Sequence, residues 1–159
     1  MKKYYLLLPV IALAIVFGCQ KEQEQEQVQT ESEVSFTGIP VSKLNMKSTD
    51  SCFSVHADYA KVVINGTDHF PEVFYLDDVP YTTAIKLTPG SYNVESFILY
   101  DDNQTPGMMD DDVIVAATPE SGSEYASFVT NPVSFSFQVQ AFEKAEVYIE
   151  VVCFEPDEY

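Results

Sequence analysis

The sequence contains no arginine and no tryptophan, and its eight cationic residues are all lysines. Against them stand 25 aspartates and glutamates, which give a formal net charge of −17 at pH 7. A surface of this charge repels phosphate backbones and anionic lipid headgroups. We therefore expect no nucleic-acid partner, and any membrane attachment must come from something other than a basic patch.

Glycine and histidine are also scarce. With only six glycines the chain has no glycine-rich loop of the kind that holds phosphates. His56 and His69 are the two histidines, and neither has partners at the spacing of a zinc site. The chain has no G-x-S-x-G element and no recognisable acid–base pair or nucleophile set. These absences predict a protein that is not an enzyme and has no organic cofactor.

The first 18 residues have the organisation of a secretory leader. Lys2 and Lys3 precede an apolar run, Tyr4 to Phe17, which is short for a membrane span. The run closes on Gly18-Cys19, and Val16 to Cys19 resembles the lipobox of bacterial lipoproteins. That resemblance implies cleavage between Gly18 and Cys19 and a lipid anchor on Cys19. The alternative is an uncleaved N-terminal membrane helix.

A polar segment follows the leader. Gln20 to Glu33 is dominated by Gln and Glu, which cannot bury apolar surface, so we predict a flexible tether over residues 19–48. Cys19 to Glu22 resembles the lipoprotein export signal of Bacteroidetes. This implies a lipid-anchored protein of the outer membrane displayed at the cell surface, with the periplasmic face as the alternative.

Residues 49–159 are predicted to form one β-sandwich domain. In Val133 to Val139 the apolar residues alternate with Ser and Gln, as in a half-buried strand, and Ala145 to Phe154 alternates in the same way. We expect these two strands to pair as a hairpin. Further strands are predicted at 59–64, 73–76, 81–87, 91–100 and 113–117, with a short helix near 123–128. The fold class is therefore all-β, an antiparallel sandwich of about seven strands.

Two segments resemble known proteins. Val62 to Gly66 and Ile85 to Val94 resemble the V-x-I-N-G … L-x-P-G-x-Y-x-V pattern of transthyretin-like (prealbumin-type) sandwiches, which include carboxypeptidase regulatory-like modules. In that pattern Tyr92 and Val94 insert beneath a Pro-Gly turn. Tyr125 to Glu158 resembles uncharacterised Bacteroidetes lipoproteins, and this likeness implies no activity.

Acidic residues bracket the loop after the strand at 91–100. Asp101 and Asp102 lie at its start, and Asp110, Asp111 and Asp112 lie at its end. If the loop ends meet, these carboxylates are suitable ligands for Ca²⁺, although their spacing is not that of an EF-hand. A solvated acidic loop explains the same residues.

Cys52 and Cys153 are candidates for a disulfide in an exported protein. Alternation places Cys153 with the core residues and Cys52 on the opposite face, which argues for two separate thiols instead.

Aromatic residues are the remaining candidates for a binding surface. Tyr81, Phe97, Tyr100, Tyr148 and Phe154 are more than the core readily accommodates, and a row of rings on a sheet face stacks on sugars or partner proteins. Ordinary packing is the alternative. We thus predict a non-catalytic binding or interaction module with a glycan or envelope protein as partner, or alternatively a structural subunit of an envelope complex.

Overall fold

The computed structural model describes residues 30–41, 55–107 and 109–153. The ten strands of these ranges are β1 (Ser32–Pro40), β2 (Tyr59–Ile64), β3 (Thr67–His69), β4 (Val73–Leu76), β5 (Val79–Thr82), β6 (Ile85–Leu87), β7 (Gly90–Asp101), β8 (Val113–Ala117), β9 (Phe135–Val139) and β10 (Ala145–Cys153). One 3₁₀ helix, Glu124–Phe128, lies between β8 and β9. Within the described ranges, no helix has the length and apolarity needed to cross a bilayer. The predicted leader, with Gly18 and Cys19, lies outside them.

The strands form one open, curled sheet. Its order is β3-β2-β7-β8-β10-β1-β5-β4, with β6 also paired to β1 and β9 to β7. β1 and β10 run parallel, whereas the other pairs are antiparallel. The predicted all-β class is confirmed, but the structure has ten strands and a parallel pair where the sequence predicted about seven antiparallel strands.

β1 lies inside the segment predicted to be a tether. Val34 and Phe36 of this strand are fully buried, and Val34 aligns with Ala145 at the start of β10. The folded part therefore begins by Ser32 and not at residue 49. The Gln/Glu-rich run just before β1 dominates the local composition and conceals a short alternation that is typical of a strand.

The predicted hairpin between the last two strands is not formed. β9 pairs with β7, while β10 lies between β1 and β8. The predicted faces are nevertheless correct, since Val147, Ile149 and Val151 of β10 are buried. Alternation specifies which face of a strand is buried and leaves the identity of its neighbour open.

The core lies against the inner faces of β1, β10, β2 and β7. Phe36 is at its centre, with ring centroids 6.0 Å from both Phe97 and Phe137. β1 approaches β5 closely at Gly38, where an added Cβ would lie 2.9 Å from Cγ of Pro80. A side chain at this position would push the two strands apart.

The tight turn predicted at Asn65-Gly66 is confirmed. Asn65 and Gly66 have φ of 47° and 73° and join β2 to β3, as a type I′ turn requires. Val94 is fully buried, and the Tyr92 hydroxyl donates to the Thr88 carbonyl oxygen at 2.8 Å. The segment predicted as one strand over 81–87 instead divides into β5 and β6.

Candidate functional site

An aromatic row crosses the outer face of the sheet over four adjacent strands. Phe74 of β4 is in register with Tyr81 of β5, and Tyr81 is in register with Thr37 of β1. Thr37 is in turn in register with Tyr148 of β10. Residues in register on neighbouring strands project from the same face. We call Phe74, Tyr81 and Tyr148 the aromatic row, with the smaller Thr37 between its two tyrosines.

The rings of the row are accessible. Tyr148 is 61% exposed and Phe74 52% exposed, and the Phe74 and Tyr81 rings stack with centroids 5.7 Å apart. One register position further along the strands lie Leu76, 61% exposed, and Ile39, 40% exposed. Apolar side chains of this size are thus gathered on one face of a strongly acidic protein.

A carboxylate is held within the row. Glu146 lies two residues before Tyr148 on the same face of β10, and its two oxygens accept from different hydroxyls. The Thr37 hydroxyl donates to Oε1 at 2.7 Å, and the Tyr148 hydroxyl donates to Oε2 at 3.0 Å. The hydrogen bond to Glu146 raises the pKa of Tyr148, so the hydroxyl remains a donor throughout the physiological range.

The lysines of this face lie at its far end. Glu33 of β1 is in register with Lys86 of β6, and Lys144 Nζ lies 2.6 Å from a Glu33 oxygen. The bond from Lys144 holds the pKa of Glu33 below its usual value. These charges are engaged with one another, which leaves the aromatic row without a cation of its own in the part of the chain that the structure describes.

The aromatic residues singled out from the sequence lie in different environments in the structure. Tyr81 and Tyr148 belong to the row, but Phe97 is fully buried, and Tyr100 stacks on Tyr59 with centroids 5.2 Å apart. Phe154 lies outside the described residues. The sequence does not single out Phe74, because β4 is apolar on both faces and alternation carries no signal there.

A second candidate, an acidic pocket, opens where the β7–β8 loop meets the start of β2. It has a volume of about 440 Å³ and is lined in part by Asp58, Tyr59, Phe70, Asp102 and Asp112. The Tyr59 hydroxyl donates a hydrogen bond to Asp112. The pKa of Tyr59 is raised, mainly by burial and to a smaller extent by this hydrogen bond.

The structure does not bring the predicted calcium ligands into one set. Ligand atoms of Asp101 and Asp102 lie within 4.8 Å of one another and of Asp58, a residue with no signal in the sequence. Asp111 instead accepts from the Thr105 hydroxyl at 3.0 Å, and Asp110 is exposed.

The carboxylates of the loop also have structural tasks. Asp101 accepts from the Asn103 N–H at 2.8 Å, and Asp102 accepts from the Gln104 N–H at 2.9 Å. Such bonds stabilise turns whether or not a cation is present. Partial burial and the neighbouring charges of Asp58 and Asp101 raise the pKa of Asp102.

Of the two candidate disulfide cysteines, only Cys153 is described. It ends β10 and is disulfide-bonded. The expectation of a separate thiol at position 153 is therefore wrong. Cys52 lies outside the described residues, so its pairing with Cys153 stays an untested alternative.

Comparison with known proteins gives one structural likeness. The fold is similar to part of a leucine-rich repeat protein from Bacteroides thetaiotaomicron, with a TM-score of 0.45 and 19% identity. The match covers 80% of this chain and 15% of that one, and a likeness this loose carries no argument about function. No protein-family model and no curated protein matches the chain.

Proposed function

We propose that the chain is a lipoprotein anchored through Cys19 and displayed at the surface of the outer membrane, and that its folded part is a non-catalytic binding module. The observation that carries the binding proposal is the aromatic row. Large apolar side chains exposed together on one face mark interaction sites more often than isolated ones do.

The face is suited to recognition because it is preorganised. The rings stand on paired strands, and Tyr148 is tied to Glu146, which Thr37 also holds. A ligand therefore meets side chains that have already lost much of their conformational freedom, which lowers the entropic cost of binding.

The lipoprotein and transthyretin-like identities belong to the same proposal. The first is supported by the leader and Gly18-Cys19. The second is supported by the Asn65-Gly66 turn and by Val94, which lies in the core as the resemblance requires.

The test of the binding proposal is site-specific photocrosslinking on intact cells. A benzophenone side chain replaces Phe74 in the row or, as the matched control, Phe142, which is 86% exposed and lies in the turn before β10. We expect a discrete adduct from position 74 and none from position 142. No adduct, or the same adducts from both positions, would contradict the proposal.

Surface display is tested separately by protease treatment of the same cells. The chain should be degraded without lysis, while a periplasmic control protein stays intact. Survival of the full-length chain until the outer membrane is opened would place the protein on the periplasmic side.

A further inference from the structure

The size of the aromatic row restricts what it can bind. The row crosses the three gaps between β10, β1, β5 and β4, a distance of about 14 Å. Including Leu76 and Ile39, it extends about 7 Å along the strands, so its footprint is on the order of 100 Å². A stable protein interface buries about 800 Å² on each partner. The row is therefore the size of a small-ligand site and too small to hold a folded protein by itself.

Glu146 provides the hydrogen-bond acceptor beside the aromatic row. A carboxylate has about four acceptor positions, of which Thr37 and Tyr148 occupy two. Because Glu146 is exposed and forms no ion pair with any described residue, its remaining lone pairs face solvent beside the rings. These lone pairs accept from hydroxyl or amine donors.

Charge decides which ligands come near. The net charge of −17 and the acceptor at Glu146 repel polyanions, including acidic polysaccharides and anionic lipids. An uncharged ligand rich in hydroxyls has donors for Glu146 and is not repelled by the negative charge of the protein. If it also has a flat face of C–H groups, it can pack on the rings of Tyr81 and Tyr148.

Pyranose sugars combine these properties, since one face of the ring presents C–H groups and the rim presents hydroxyls. We propose that the aromatic row binds an uncharged glycan, with a sugar ring packed on Tyr148 and Tyr81 and one of its hydroxyls donating to Glu146. This inference rests on the proposed binding function and adds the ligand class to it.

The experiment is affinity electrophoresis of the full acylated chain, held in a polyoxyethylene detergent that carries no sugar. The native gels contain starch, laminarin, arabinoxylan or galactomannan, all uncharged. We expect at least one of them to retard the wild type, and an increase in salt to leave the retardation unchanged because no ion pair is involved.

The variants assign the binding to the row. Tyr148→Ala should weaken binding about tenfold or more through loss of stacking. Glu146→Gln, which keeps one acceptor but loses the charge, should weaken it about tenfold. Phe142→Ala, an exposed ring outside the row, should bind like the wild type. Melting temperatures near that of the wild type show that the variants are folded.

The outcomes separate this inference from the proposed function. No retardation by any of the four polysaccharides overturns the glycan assignment, as does retardation that Tyr148→Ala leaves intact. A fifth gel contains chitosan, a cationic polysaccharide. Retardation by chitosan alone, abolished by salt, also overturns the glycan assignment and indicates a cationic ligand. If the position-74 crosslink persists in any of these cases, the binding function stands with another ligand. If the crosslink is also absent, both proposals fail.

Discussion

Replacement of Phe36 by alanine tests whether the segment around β1 is part of the fold. The Phe36 side chain is fully buried, and its ring contacts Phe97 and Phe137. Loss of its transfer free energy costs about 2 kcal/mol. The residual cavity and the two lost ring contacts add about 1–3 kcal/mol. We expect the free energy of unfolding to fall by about 3–5 kcal/mol in total.

Urea denaturation measures this loss. Because the chain has no tryptophan, its tyrosines supply the fluorescence signal. With an m-value of about 1.5 kcal/mol/M, the midpoint should fall by about 2–3 M. The matched control is Ile39→Thr, which keeps a β-branched side chain at an exposed site of the same strand and should change stability by less than about 0.5 kcal/mol. A Phe36→Ala midpoint equal to that of the wild type would show that β1 is not part of the cooperative fold.

Four further predictions concern backbone space, charge, calcium binding and covalent linkage. Gly38→Ala should cost about 1–3 kcal/mol, because its Cβ would clash with Pro80, whereas calorimetry of Gly90→Ala should show a smaller loss, since its Cβ meets only ordinary contacts. The pKa of Asp102 is raised in the folded state, so its contribution to stability is present below its unfolded pKa and is lost as the pH rises through the folded value. At neutral pH the Asp102→Asn variant should therefore have a higher melting temperature than the wild type. At about pH 3 the two melting temperatures should be equal. Equal melting temperatures at neutral pH would refute the raised pKa of Asp102. The calcium hypothesis is tested by measuring the melting temperature in millimolar Ca²⁺ and in chelator. If the melting temperature is the same in both, the hypothesis is rejected. Reduction of the Cys153 disulfide should lower the free energy of unfolding by about 2–4 kcal/mol, and a non-reduced peptide map identifies its partner.

Much of the local structure was predictable because it depends on neighbours in the chain. The burial of Val147, Ile149 and Val151 follows from alternation, and the β2–β3 turn follows from Asn65-Gly66. The strand pairing was less accessible. The predicted hairpin of β9 and β10 is wrong, since β9 pairs with β7 and β10 with β1, and alternation within a strand does not specify its partner.

The candidate site was only partly predictable for the same reason. The sequence marks Tyr81 and Tyr148 as aromatics in excess of the core, but it does not connect Phe74 or Glu146 with them. Asp58, which meets Asp101 and Asp102 in the structure, had no local signal at all.

The amino-acid sequence by itself determined the acidity of the surface, the all-β class and the buried face of each well-patterned strand. These properties depend on composition and on the two-residue period of an extended chain. Only the tertiary structure decided that β1 inserts between β10 and β5, and that residues 37, 74, 81 and 148 consequently stand side by side. Residues so far apart become neighbours only when the register between strands is set, and that register is a property of the whole packed sheet.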